Sequence, residues 1–178
     1  GAGKSTIVKL LLKLYDVQSG EILINGKNIN DYNVYKLRNA IGVAFQSTNI
    51  YALSMDENIG IYSNSTEEAI ENAKESFGLN SIIEKNGGAI NPTLTREFDD
   101  DGIVLSGGEA QKVALARTST KKFSMLILDE PSSALDPIAE YNLNHSLLNQ
   151  SEETTTIMIA HRLSTVRTMD KILVINNG

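Results

Sequence analysis

The chain has 178 residues, 41% of them apolar, which suits a single α/β domain large enough to bury a core. Asp and Glu outnumber Lys and Arg by 22 to 16, and the net charge of −6 argues against nucleic acid as the main partner, because phosphate backbones reward clustered cations. With no cysteine there is no disulfide framework or thiolate metal site, and no apolar run approaches the ~20 residues of a membrane helix or reads as a signal peptide.

Gly1-Ala2-Gly3-Lys4-Ser5-Thr6 opens the chain, and Ile7, Val8, Leu10, Leu11 and Leu14 follow on a helical period, so a helix is expected over 5–14. Residues 21–24 read as a strand with Asn25-Gly26 as a tight turn, 34–39 as a short amphipathic helix, and 41–45 as a buried strand ending at Gln46. From about 48 to 104 the pattern predicts a mainly helical insertion. One helix starts with Ser65 as cap and Glu68 at the capping-box position, shows Ala69, Ile70, Ala73 and Phe77 on one face, and stops at Gly78. A second is expected over 80–85, with loops at 86–88 and 99–102. The run Asp99-Asp100-Asp101 reads as a solvated loop rather than a metal site.

A helix is then expected over 109–121, with Val113, Leu115 and Ala116 inward, and a buried strand over 124–128. Pro137 at a first helical turn starts a helix to about Asn149. A strand over 154–160, a short helix over 162–169 and a last strand over 171–175 complete the order. Alternating strands and helices imply a largely parallel sheet. Its core is expected from 1–47 and 105–178, with 48–104 as the inserted helical part.

Three segments carry chemistry. Gly1 and Gly3 let successive N–H groups turn toward phosphate oxygens, and the following helix N-terminus adds partial positive charge. Ala2 and Thr6 complete that loop. Lys4 is placed to reach β- and γ-phosphates, and the Ser5 hydroxyl to ligate Mg²⁺. Taken alone, Gly-Lys-Ser-Thr also reads, less strongly, as a helix start after a flexible end. Leu126-Ile127-Leu128-Asp129-Glu130 is an apolar strand with two carboxylates at its carboxyl end, where α/β sheets bind ligands. Asp129 suits Mg²⁺, and Glu130 suits deprotonating an attacking water. Ser106-Gly107-Gly108-Glu109 precedes a helix and offers a second anion cradle, which makes sense if it serves a neighbouring chain's nucleotide.

Gln46 ends a strand with a neutral amide that can touch Mg²⁺ or water. His161 ends another at the same sheet edge, within reach of a γ-phosphate. Ser133-Ala134-Leu135-Asp136 is placed to cross a dimer interface. His145 has no motif around it and reads as a surface residue. The full phosphate-loop pattern begins with a further glycine, absent here along with the strand that feeds it, and Asn177-Gly178 reads as the start of a turn. The expectation is a segment trimmed at both ends, soluble by itself and a poor binder of ATP alone.

The whole chain resembles the nucleotide-binding domain of an ABC transporter. The partial Walker A, Gln46 as Q-loop, Leu105-Ser106-Gly107-Gly108-Glu109 as signature, Leu126–Asp136 as Walker B and D-loop, and His161 as H-loop occur in family order. The stretches 157–167 and 56–59 look like the exporter type. The resemblance implies a P-loop NTPase (RecA-like) core with a small antiparallel part. It also implies ATP and Mg²⁺ as ligands. Ser5, Gln46 and Asp129 would attend the metal, and Glu130, His161 and Gln46 the hydrolysis. Gly1 to Thr6, Ser106 to Glu109 and Asp136 would bind nucleotide.

It further implies that two such domains close head to tail on two ATP molecules. They would act at the cytoplasmic face of a membrane, through coupling helices of a transmembrane domain near residues 47–55. An importer ATPase subunit and a soluble ABC-type ATPase are the alternatives. The chain departs from the pattern at Glu109, where Gln is usual, at Ala110, where a basic residue is common, and over 95–102, which lacks the exporter ending Gly-Glu-Arg-Gly.

Overall fold

The computed structural model describes residues 3–62, 65–131, 135, 140–141, 154–160 and 169–175. Helix α1 (Lys4–Leu11) leads to a two-stranded antiparallel hairpin, β1 (Leu23–Ile24) and β2 (Lys27–Asn28), turned by Asn25-Gly26. Helix α2 (Val34–Asn39) is capped by the Asn33 side chain, which accepts from the N–H groups of Tyr35 and Lys36. A parallel sheet of β3 (Ile41–Ala44), β4 (Met125–Asp129) and β5 (Thr155–Ile159) has β4 in the middle. Ile41 pairs with Met125 and Asp129 with Ile159.

The sheet has a cluster on each face, and alternation along β4 feeds both. Ile127 joins Val8, Leu12, Ile29, Leu37, Ile41 and Ile159 beneath α1 and α2. Leu126 and Leu128 point the other way, into a cluster with Met55, Ile59, Phe77, Leu79 and Leu115. That second cluster belongs to α3 (Met55–Ile59), α4 (Glu67–Ser76), α5 (Leu79–Lys85) and α6 (Gly107–Ser119). A core shared across β4 therefore fixes the helical segments against the sheet edge that carries Asp129.

Several expectations shift. Helix α1 ends at Leu11 rather than 14: Lys13 takes φ +50°, which breaks the helical run, and Leu14 beyond it is half exposed. Thr66, not Ser65, caps α4, because its hydroxyl accepts from the Ala69 N–H. Ser65 Oγ instead donates to Tyr62 O and bonds Thr120 Oγ1, so no Ser65–Glu68 box forms. Helix α6 begins at Gly107, two residues earlier than expected, because Ser106 is its cap.

Helix α3 was not foreseen. Residues 171–175 pair with no strand among the described residues, and Leu173 and Val174 are almost fully exposed. A β-prone sequence becomes a strand only where a second edge meets its N–H and C=O groups. The acidic run forms a turn, with Gly102 N–H donating to Asp99 O and Asp101 N–H to Asp99 Oδ1. No acidic or histidine cluster able to hold a metal occurs among the described residues. Of the helix expected over 137–149 only residues 140–141 are described, and both are helical; His145 and all but residue 169 of the helix expected over 162–169 lie outside the described residues.

Candidate active site

Two hydrogen bonds join residues far apart in sequence. Ser5 Oγ donates to Asp129 Oδ2 at 3.4 Å, and Gln46 Nε2 donates to Glu130 Oε2 at 2.8 Å. Strand order explains both meetings. Strand β3 ends at Ala44, two residues before Gln46, and its parallel neighbour β4 ends at Asp129. Both deliver their side chains to the carboxyl edge of the sheet, the edge where open α/β sheets hold ligands.

Gly3 delivers the third piece. Its φ of +84° is left-handed, a region glycine enters without a Cβ penalty, and it turns the chain straight into α1. Among the described residues no side chain caps α1; Thr6 and Ile7 donate to Gly3 O, and the partial positive charge of the helix start favours an anion there. Lys4 is the first residue of that helix, Ser5 the second and Thr6 the third. Mg²⁺ takes hard oxygen donors, keeps several waters and shares phosphate oxygens, and a hydroxyl paired with the buried Asp129 carboxylate fits that preference.

Glu130 takes φ +51°, a left-handed conformation that costs a non-glycine residue about 1–2 kcal/mol. The surroundings impose it. Glu130 N–H donates to Ile159 O at 2.8 Å, extending the β4–β5 pairing by one bond. The Gln111 amide donates to Glu130 O at 3.1 Å, and the Gln46 amide holds the carboxylate.

The Ser106–Glu109 turn forms a separate group that caps α6. Ser106 Oγ accepts from Glu109 N–H, and Ser106 N–H donates to Glu109 Oε2 at 2.8 Å, a reciprocal capping box. The Ser106 backbone N–H, its hydroxyl and, less strongly, Lys85 hold the Glu109 carboxyl below the ordinary carboxylate range. The Glu109 charge is thus turned back onto its own cap. Gly1, Ala2, Asp136 and His161 lie outside the described residues.

Two residues escaped the sequence reading. Gln111 is 3% exposed on the buried side of α6, among Ala110, Val113 and Ala114. A buried glutamine in an apolar helix face is itself the signal, because such a side chain needs a partner. Arg117, on the same helix, donates through Nε to Asn58 O at 2.7 Å and through its terminal nitrogens to Asn49 O, with its guanidinium over the Tyr51 ring. It forms one wall of a cleft of about 390 Å³ with Phe45, Thr48, Tyr51, Ile61 and Tyr62. Burial pulls the Arg117 guanidinium down and pushes the Tyr62 phenol up.

The sequence pattern of the ABC transporter family matches residues 1–133. The chain belongs to the ABC transporter family. This ABC domain is 38% identical over 180 residues to the putative multidrug export ATP-binding/permease protein YgaD of Bacillus subtilis. It is 39% identical over 182 residues to the ATP-dependent lipid A-core flippase of Blochmanniella pennsylvanica. All of this chain is covered in both, against 30% of each relative, so it spans about a third of their length. A solved bacterial Atm1-family ABC exporter with ATP bound superposes with a TM-score of 0.88 at 34% identity, over 99% of this chain and 30% of that one. The ABC domain therefore has the fold of an exporter's nucleotide-binding domain: a mainly parallel sheet, a small antiparallel part and packed helices. No described helix is long and apolar enough to cross a membrane.

Proposed function

We propose that this ABC domain binds and hydrolyses ATP to power export of a substrate across a membrane, as part of a longer polypeptide with its own transmembrane domain. The observation that carries the reading is the meeting of Ser5 with Asp129 and of Gln46 with Glu130 at one sheet edge, beside an uncapped helix start. Residues 1–47 and 105–178 make the nucleotide-binding core in this reading, and 48–104 the helical part. The Phe45–Arg117 cleft takes coupling helices of the transmembrane domain at the cytoplasmic face.

In the mechanism, the Gly1–Thr6 loop and the α1 dipole hold the phosphates, and Lys4 reaches the β- and γ-groups. Ser5 and Asp129, with Gln46 nearby, would hold Mg²⁺, which neutralises charge on the phosphate oxygens when bound. Glu130 accepts a proton from water as that water's oxygen attacks the γ-phosphorus. The bond to the β-phosphate oxygen breaks, and ADP and phosphate leave. Gln46 holds one oxygen of the carboxylate that orients the water. His161 contacts the γ-phosphate. A second such domain packs head to tail, so that its Ser106–Glu109 turn and Asp136 complete the site.

The test is ATP turnover by the natural full-length polypeptide carrying Glu130→Gln. Loss of a positioned general base lowers kcat by about 10²–10⁴-fold. A wild-type rate in that variant sinks the proposal.

A further inference from the structure

Helix α6 carries two polar features one turn apart on one rigid element. Its N-terminal turn, Ser106–Glu109, faces outward as a capped end. One turn further on, Gln111 is buried, and its Nε2 donates to the main-chain oxygen of Glu130 at 3.1 Å, across 19 residues of sequence. Glu130 is the residue whose backbone leaves the strand in the left-handed region. Its N–H is already committed to Ile159 O. With the N–H anchored on β5 and the carbonyl anchored on α6, the peptide units on both sides of the Glu130 Cα are held, and so is the direction of its side chain.

We propose that Gln111 is a positioning residue that sets the Glu130 carboxylate and makes its placement depend on the seating of α6. This rests on the reading of Glu130 as the proton acceptor. The consequence is specific to a head-to-tail pair. The Ser106–Glu109 end of α6 serves the nucleotide of the opposite site, while Gln111 holds the carboxylate of its own. A displacement of α6 caused by engagement at one site reaches the other through one amide. A rigid helix transmits such a shift better than a loop would, and a hydrogen bond weakens steeply as it bends away from linearity.

The experiment uses the full-length transporter in lipid vesicles. Steady-state kcat, KM for ATP and thermal melting are measured for wild type, Gln111→Met, Gln111→Glu and Glu130→Gln. Methionine keeps the length and apolar packing but removes the donor. Glutamate keeps the shape but turns an acceptor oxygen toward the Glu130 carbonyl. Both are expected to lower kcat by roughly tenfold or more with KM within twofold of wild type, Gln111→Glu being the slower. A purely packing role predicts the reverse order, because glutamate is the closer isostere. Wild-type kcat in either Gln111 variant overturns the proposal, as does a fall in kcat matched by an equal rise in KM. If Glu130→Gln itself turns over normally, the underlying hydrolytic reading falls as well. Slow Glu130→Gln beside normal Gln111 variants removes this proposal alone.

Discussion

At the scale of single residues, the costs are concentrated where chemistry or a sharp turn requires them. Glu130 occupies a left-handed conformation because three neighbours hold it there, and a residue at the end of a sheet's central strand has those neighbours to hand. Gly102 is constrained differently. A Cβ there would sit 1.9 Å from Thr95 O and 3.0 Å from Asp99 O, both backbone atoms. The squeeze comes from a narrow loop: Thr95 N–H donates to Ile103 O, Ile103 N–H to Thr93 O, and Arg96 Nε to Gly102 O. Neither backbone atom can yield without breaking that loop. Gly102→Ala is therefore expected to cost about 2–3 kcal/mol or more through overpacking, seen as a melting point lower by roughly 4–12 °C for a domain of this size. An unchanged melting curve would show that the loop relaxes freely.

At the scale of elements, α3 shows what five residues need in order to hold a helix. The Ser54–Glu57 capping box closes its start, with Ser54 N–H donating to Glu57 Oε2 at 2.9 Å. Asn58 closes its base. It is fully buried, its amide donates to the carbonyls of Tyr51, Leu53 and Ser54, and its oxygen accepts from Tyr51 N–H and an Arg117 nitrogen. Asn58→Leu fills the same space and strands those groups. Each unsatisfied buried group costs about 1–3 kcal/mol, so a loss of about 3 kcal/mol or more is expected in chemical denaturation. A midpoint within error of wild type would mean the network is dispensable.

Helix α3 also marks the limit of what the sequence discloses. Helix α2 was legible at both ends as a short amphipathic segment, with Val34 and Leu37 three residues apart. Helix α3 has only five residues, and the Ser-x-x-Glu spacing of its capping box is its clearest sequence signal. The glycine loop, the signature turn and the paired carboxylates could be read as motifs because each is local. The Gln46–Glu130 and Gln111–Glu130 contacts could not, since they depend on strand order and on which face of α6 is buried. Segment 171–175 has strand composition but no ladder among the described residues, and composition cannot supply a partner edge.

At the scale of the whole molecule, the net charge of −6 and the two capping boxes point to one solution property. The Ser54 hydroxyl and N–H hold the Glu57 carboxyl below its ordinary range, and Ser106 does the same for Glu109. A carboxyl depressed in the folded state contributes stability that is present above its unfolded value and is lost as pH falls through the folded one. Lys74 acts at the other end of the scale. Burial pulls its ammonium down, but Glu71 and Asp56 more than offset this and raise it, so its contribution persists until strongly alkaline pH. The window from neutral pH down through the carboxylate range therefore belongs to the glutamates. Glutamine at 57 and 109 still accepts the same N–H bonds but does not titrate. Urea midpoints followed from pH 7 to pH 3 should fall less steeply in the Glu57→Gln, Glu109→Gln double variant than in wild type. At pH 7 the double variant should be no more stable than wild type, because the charged acceptor at a helix N-terminus is the stronger one. Parallel slopes in the two proteins would place the acid sensitivity in other carboxylates and remove the caps from the account.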